Sequence, residues 1–154
     1  KEAKKRNIFI SADSQISSQL GNINKFKNVD LMMPTEYEIR QSLYNSDDGL
    51  VELANKLRNQ INIKQLIITL GGDGAFLNLQ SKEKIINDHI PALNKNPKNI
   101  SGAGDAMLVY TSIALAFGAN PCEFTLIGSL AAAAQVSREG NKPVNVTEIE
   151  KLIL

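Results

Sequence analysis

Asn99-Ile100-Ser101-Gly102-Ala103-Gly104-Asp105-Ala106-Met107 places a turn of small residues and a carboxylate directly before the apolar run Met107 to Phe117. That run contains neither Gly nor Pro and is long enough for about three helical turns. Glycine admits backbone dihedrals closed to other residues and lets the main chain approach a ligand closely. The first N–H groups of a helix have no intrahelical acceptor and lie at the positive end of its dipole. Gly102, Ala103 and Gly104 can therefore aim amides at a phosphate, or at the charge that develops on it. Asp105, at or just inside the helix start, then lies within reach of a hydroxyl attacking that phosphate and can accept its proton. The plain alternative is that Asp105 merely caps a helix after a glycine turn, and a short Gly motif alone does not separate the two.

The same residues resemble the C-terminal signature of the ribokinase-like (PfkB) carbohydrate kinases, D-T-x-G-A-G-D followed by a helix. The resemblance implies that Gly102, Ala103 and Gly104 form the anion hole, and that Asp105 is the catalytic base activating a sugar hydroxyl towards the γ-phosphate of ATP. Asn99 stands where the family has its first Asp, and Ser101 where Thr is usual. In many members that Asp helps hold a monovalent cation, so Asn99 counts against potassium activation.

Working outward, the whole chain of 154 residues with 43% hydrophobic content is long enough for one domain with a proper core. Seventeen basic and 16 acidic residues leave a net charge of +1, which gives no reason to expect nucleic acid or an anionic membrane as partner. The single Cys122 excludes an internal disulfide and fits a reducing compartment. No apolar run reaches the roughly 18 residues that span a bilayer, and no signal peptide is visible, so the expected location is cytoplasmic.

Upstream of the signature, Lys1 to Arg6 reads as the end of a helix and Ile8 to Ala12 as a short buried strand. Asp13 and the serines after it fall at that strand's C-terminal end, the edge where ligands collect in an open parallel sheet. A polar segment through Gly21 and Asn24 leads to a second strand at Val29 to Met33, stopped by Pro34. Thr35 and Glu38 then have capping-box spacing. Leu50, Leu53, Ala54 and Leu57 recur at helical spacing, and Gln65 to Leu70 reads as a strand covered on both faces.

That strand runs into Gly71-Gly72-Asp73-Gly74, which suits a hairpin turn with Ala75 to Leu79 returning antiparallel, a phosphate loop, or both. A Rossmann site is disfavoured because a β-rich segment follows the glycines, and a Walker A loop is excluded because no Gly-Lys-Ser/Thr occurs. Residues 81 to 98 read as a short strand and a loop. His89, the one histidine, reads as a surface or satisfied residue. Downstream, Gly118-Ala119-Asn120-Pro121 ends one helix and starts another, with Asn120 as cap and Glu123 three residues on. The small residues at 131 to 134 permit close approach of a helix or a flat ligand. Thr147 with Glu150 is expected to cap a last short helix.

Several of these positions extend the family resemblance. Thr35 and Glu38 stand where the family has Asn-x-x-Glu, implying that Thr35 approaches the nucleotide phosphates and that Glu38 places magnesium through water. Thr69, Gly71 and Gly74 match a T-x-G-x-x-G loop bordering ATP. Ser129 takes the place of an asparagine beside the adenine, and Arg138 and Gly140 match an R-x-G ending near the monovalent-cation site. The implied fold is α/β, a three-layer ribokinase-like fold with a mostly parallel sheet, represented by its C-terminal half. The sugar-binding residues and lid then belong to an N-terminal half of the same chain, and the isolated piece would bind nucleotide without phosphorylating sugar. Residues 86 to 150 are similar to kinases acting on phosphorylated heptoses, which implies a sugar or sugar-phosphate substrate. The departures at Asn99, Thr35 and Ser129 motivate an alternative: a nucleotide-binding or oligomerisation module without catalysis, and a homo-oligomer is one outcome for either reading.

Overall fold

The structure, a computed structural model, describes residues 2–13, 23–140 and 142–153. It divides into two compact units, the first comprising residues up to Gly71 with Ala75–His89, the second comprising Gly72–Gly74 with the chain from Ile90 onward.

In the first unit, α1 (Glu2–Lys5) precedes β1 (Ser11–Ala12), and after a 3₁₀ turn at Ile23–Lys25 come β2 (Val29–Met32), α2 (Glu36–Leu43), α3 (Leu50–Ile61), β3 (Ile63–Thr69), β4 (Ala75–Ser81) and β5 (Lys84–Ile90). The sheet order is β1-β2-β3-β4-β5. It is parallel from β1 to β3 and turns antiparallel at β4, where Thr69 faces Ala75 and Gln65 faces Leu79. Leu66, Ile67 and Ile68 are all fully buried, so β3 is closed on both faces as its continuous apolar run requires. Leu53, Ala54, Leu57 and Ile61 form the buried stripe of α3 and pack with Ile39, Met32, Leu66 and Ile68 in one core cluster. Arg58, on the same helix, reaches the strands instead. Its guanidinium donates to the Lys64 carbonyl at 3.0 Å, to the Asn78 side-chain oxygen at 2.8 Å, and to the carbonyls of Ile63 and Asn78.

The strand expected over Ile8 to Ala12 is regular only at Ser11–Ala12. Ile10 explains the difference: its N–H donates to the Asp30 carboxylate at 3.0 Å, and its carbonyl accepts from both Asp30 and Leu31. A side chain thus replaces a rung of the ladder. Asp13 follows β1 directly; Ser14, Ser17, Ser18 and Gly21 lie outside the described residues. The short strand expected after residue 81 is a seven-residue strand, β5, whose side chains from Lys84 to His89 are all exposed.

In the second unit, α4 (Ala103–Ala116), α5 (Pro121–Val136) and α6 (Val146–Glu150) carry the structure. Asn120 caps α5 reciprocally with Glu123, and Pro121 takes the first helical position. Close packing of α5 on α4 is set at Gly128, where a Cβ would lie 2.0 Å from Thr111 Oγ1 and 3.2 Å from Met107, both on α4, and within the small-residue stretch Ala131 packs in a cluster with Ala106 and Tyr110. The cap of α6 is Asn145 with Glu148, not Thr147 with Glu150. Both pairs have the same spacing, and asparagine is the stronger cap. The Thr147 hydroxyl instead donates to Asn145 Oδ1 at 2.6 Å. Among the described residues no helix is long and apolar enough to cross a membrane.

Candidate functional site

Pro34 ends β2 and delivers Thr35 to the start of α2, beside the end of β3. The Thr69 N–H donates to the Pro34 carbonyl at 2.9 Å, and Thr35 and Thr69 form a parallel bridge. Two motifs separated by more than thirty residues are thus neighbours at the C-terminal edge of the sheet, where open α/β sheets collect ligands. The capping box is fully formed: the Glu38 N–H donates to Thr35 Oγ1 at 3.2 Å, while Glu38 Oε2 accepts from the Thr35 N–H at 2.7 Å and from its hydroxyl at 2.9 Å. Glu38 is 7% exposed. This carboxylate is oriented by the start of its own helix. No group of three His, Cys, Asp or Glu side chains suited to a metal ion occurs among the described residues. Gly71 adopts the left-handed conformation (φ 61°) with open space where a side chain would be.

The second unit holds the signature turn. Gly102 is the N-cap of α4 in the left-handed region (φ 76°), where glycine is favoured, and makes no side-chain cap bond. The Ala103 N–H points back to the Ile100 carbonyl at a long 3.4 Å, and helical bonding begins with the Ala106 N–H on the Gly102 carbonyl at 2.9 Å. Of the expected donors, Gly104 is therefore the cleaner one, joined by the Asp105 amide itself. Asp105 is the third residue of α4 and its side chain is exposed. Gly72 and Gly74 belong to this unit as well, and Gly74 has a structural reason to be glycine. Its φ is 93°, and a Cβ would stand 2.1 Å from the Ile90 carbonyl oxygen and 2.6 Å from the Ala92 nitrogen. Ser129 lies on α5, 7% exposed, one residue past the Gly128 contact with α4.

What holds the turn was not legible beforehand. The Lys98 and Asn99 N–H groups both donate to the Val136 carbonyl at the end of α5, at 2.7 and 3.4 Å. Asn99 Oδ1 accepts from the Ser101 N–H at 2.8 Å. Gln135, 2% exposed, donates through Nε2 to the Ser101 carbonyl at 3.1 Å and to the Gly140 carbonyl at 3.4 Å. Its Oε1 accepts from Arg138 at 2.9 Å, and Arg138 pairs with Glu148 at 2.6 Å and donates to the Lys142 carbonyl. The only hint in the sequence is that Gln135 interrupts the apolar and small run from Leu130 to Val136. A buried polar side chain needs partners, and these carbonyls and Arg138 are among them.

Comparison with known proteins gives consistent likenesses. The model of the pfkB family carbohydrate kinase matches residues 1–147. The Bifunctional protein HldE of Campylobacter curvus is 32% identical over 133 residues, which are 84% of this chain and 27% of that protein. Among solved structures, ribokinase from Thermotoga maritima superposes with a TM-score of 0.79 at 26% identity, covering 99% of this chain and 51% of that one. Phosphofructokinase-2 from Escherichia coli, solved in complex with potassium, gives a TM-score of 0.78 at 21% identity over 97% of this chain and 48% of its own. The chain thus spans less than a third of the length of the curated relatives it matches and about half of these solved chains.

Proposed function

Because the chain belongs to the pfkB family of carbohydrate kinases, we propose that it is the part of an ATP-dependent sugar kinase that receives the transferred phosphoryl group and the nucleotide. The observation that carries this reading is the turn at Gly102, which opens a 14-residue helix with a left-handed glycine and no side-chain cap, beside an exposed carboxylate. An ordinary helix start satisfies its amides with a Ser, Thr, Asp or Asn side chain, as Asn120 and Asn145 do here. Gly102 does not, and neither does Gly49 before α3; what sets the α4 start apart is the left-handed glycine with an exposed carboxylate beside it, which leaves the amides for an anion.

In this reading Asp105 accepts the proton of the attacking sugar hydroxyl, and Gly102, Ala103 and Gly104 shape the anion hole. Thr35, Thr69, Gly71 and Gly74 border the phosphates, and Ser129 sits on the helix beside the base. Magnesium bound with the nucleotide neutralises phosphate charge, and Glu38 would hold it through water. The acceptor is a sugar or sugar phosphate. The test is Asp105→Asn in the natural full-length protein. The expected outcome is a fall in kcat of about 10² to 10⁴ with ATP affinity nearly unchanged. A variant at the wild-type rate across several sugars sinks the assignment.

One observation favours a second reading, a nucleotide-binding module without catalysis. Thr35 is engaged with Glu38, Asn99 accepts the Ser101 N–H, and Ser129 is nearly buried, so the three departures from the family pattern coincide with side chains already occupied or enclosed. Calorimetry with ADP and magnesium, beside a turnover assay, separates the two: binding without turnover selects the module.

A further inference from the structure

We propose that Gln135 is a positioning residue for the phosphoryl-binding turn, and that its side-chain amide stands where a monovalent cation would otherwise gather the same backbone carbonyls. This rests on the reading of Gly102 to Asp105 as the phosphoryl site.

Two carbonyl oxygens from distant parts of the second unit, Ser101 and Gly140, converge on one nitrogen, Gln135 Nε2. Converging carbonyls repel one another and need a positive partner, either a cation or a donor with two hydrogens. The glutamine amide is such a donor. Its orientation is fixed by chemistry: turned over, it would set Oε1 against two carbonyls and the amide hydrogens against the Arg138 guanidinium. Arg138, held in turn by Glu148, supplies the positive charge behind the amide. The remaining member of the set argues the same way. Asn99, neutral, spends its Oδ1 on the Ser101 N–H within the turn. The residues therefore do not fit a potassium ion, since a buried amide already takes these carbonyls.

The consequence lies one peptide further on. Ser101 precedes Gly102, so fixing the Ser101 carbonyl fixes the peptide plane from which the left-handed glycine and the Gly104 and Asp105 amides follow. A turn that wanders would misplace donors that act only in the transition state.

The experiment uses the natural full-length protein, wild type beside Gln135→Ala, Gln135→Glu and Asp105→Asn, in potassium chloride and in tetramethylammonium chloride. Wild type is expected to show the same kcat and the same melting temperature in both salts. Gln135→Ala should lose about ten-fold in kcat with the KM for ATP little changed. Gln135→Glu keeps the shape but replaces the donor by a carboxylate, and should become potassium-dependent, both in kcat and in melting temperature. A wild type that potassium activates or stabilises overturns the proposal. So does Gln135→Ala at full rate, or Gln135→Glu indifferent to the salt. An unaffected Asp105→Asn overturns instead the kinase reading on which it rests.

Discussion

Asp30 sits where a side-chain and a backbone demand meet. Its carboxylate pairs with Lys64 at 2.8 Å and accepts the Ile10 N–H at 3.0 Å, standing in for a strand rung. Burial pushes the Asp30 carboxyl up, but the hydrogen bonds from Lys64 and Ile10 outweigh it and hold the group below its ordinary value of 3.8. A carboxyl depressed in the folded state contributes stability that is complete above the unfolded value and is lost as pH falls through the folded one. Asp30→Asn should therefore destabilise the protein at pH 7 and cost progressively less as the pH is lowered through the range below about 4. Urea denaturation of wild type and variant at several pH values measures this, and a constant difference across the series rules it out. The capping pair Thr35 and Glu38 was fully legible in the sequence, because a cap is a local device with fixed spacing. The Asp30 pair was not, because Ile10, Asp30 and Lys64 meet only once three strands are in register.

At the scale of elements, the turn between β3 and β4 shows how a motif can carry two meanings. By sequence Gly74 suits a hairpin turn, a phosphate loop, or both. The structure adds that its left-handed backbone lies against the Ile90 to Ala92 main chain, closer than any Cβ allows. Gly74→Ala should lower stability by about 3 kcal/mol or more, through both the disfavoured backbone and a clash with rigid atoms. The opposite expectation holds for Gly71, whose Cβ position is open, so that Gly71→Ala should cost only the backbone term of about 1 kcal/mol. Thermal or chemical denaturation of the two variants checks the order, and equal losses would contradict it. Helices α3 and α5 could be read in advance because their stripes and caps are periodic or local. β5 is legible only as a short strand without bounds: its side chains from Lys84 to His89 are exposed, so no burial pattern marks its extent, and pairing at the sheet edge sets its length. The α6 cap was misplaced by two residues because overlapping Asn145-x-x-Glu148 and Thr147-x-x-Glu150 spacings compete, and hydrogen-bond strength rather than spacing decides.

For the molecule as a whole, the family and fold were carried by one nine-residue stretch and a glycine loop, since these are the places where chemistry restricts residue choice most. The glutamine that holds the stretch in shape escaped, because its partners are carbonyls that any sequence supplies. The 154-residue chain taken by itself poses the last test. It matches 99% of itself to about half of the ribokinase chain, and the residues assigned above serve the nucleotide and the phosphoryl group. Phosphoryl transfer also needs an acceptor held in line and shielded from water, and such positioning is worth about 7–11 kcal/mol of barrier. The isolated chain should therefore bind ADP and magnesium weakly and phosphorylate no sugar. Among the described residues β1 has β2 as its one neighbour in the sheet order, which puts it at the sheet edge. Self-association through that edge should appear as a mass that rises with concentration in sedimentation equilibrium. Robust sugar-dependent release of ADP by the purified chain would refute the first expectation, and would assign the acceptor site to residues within this sequence.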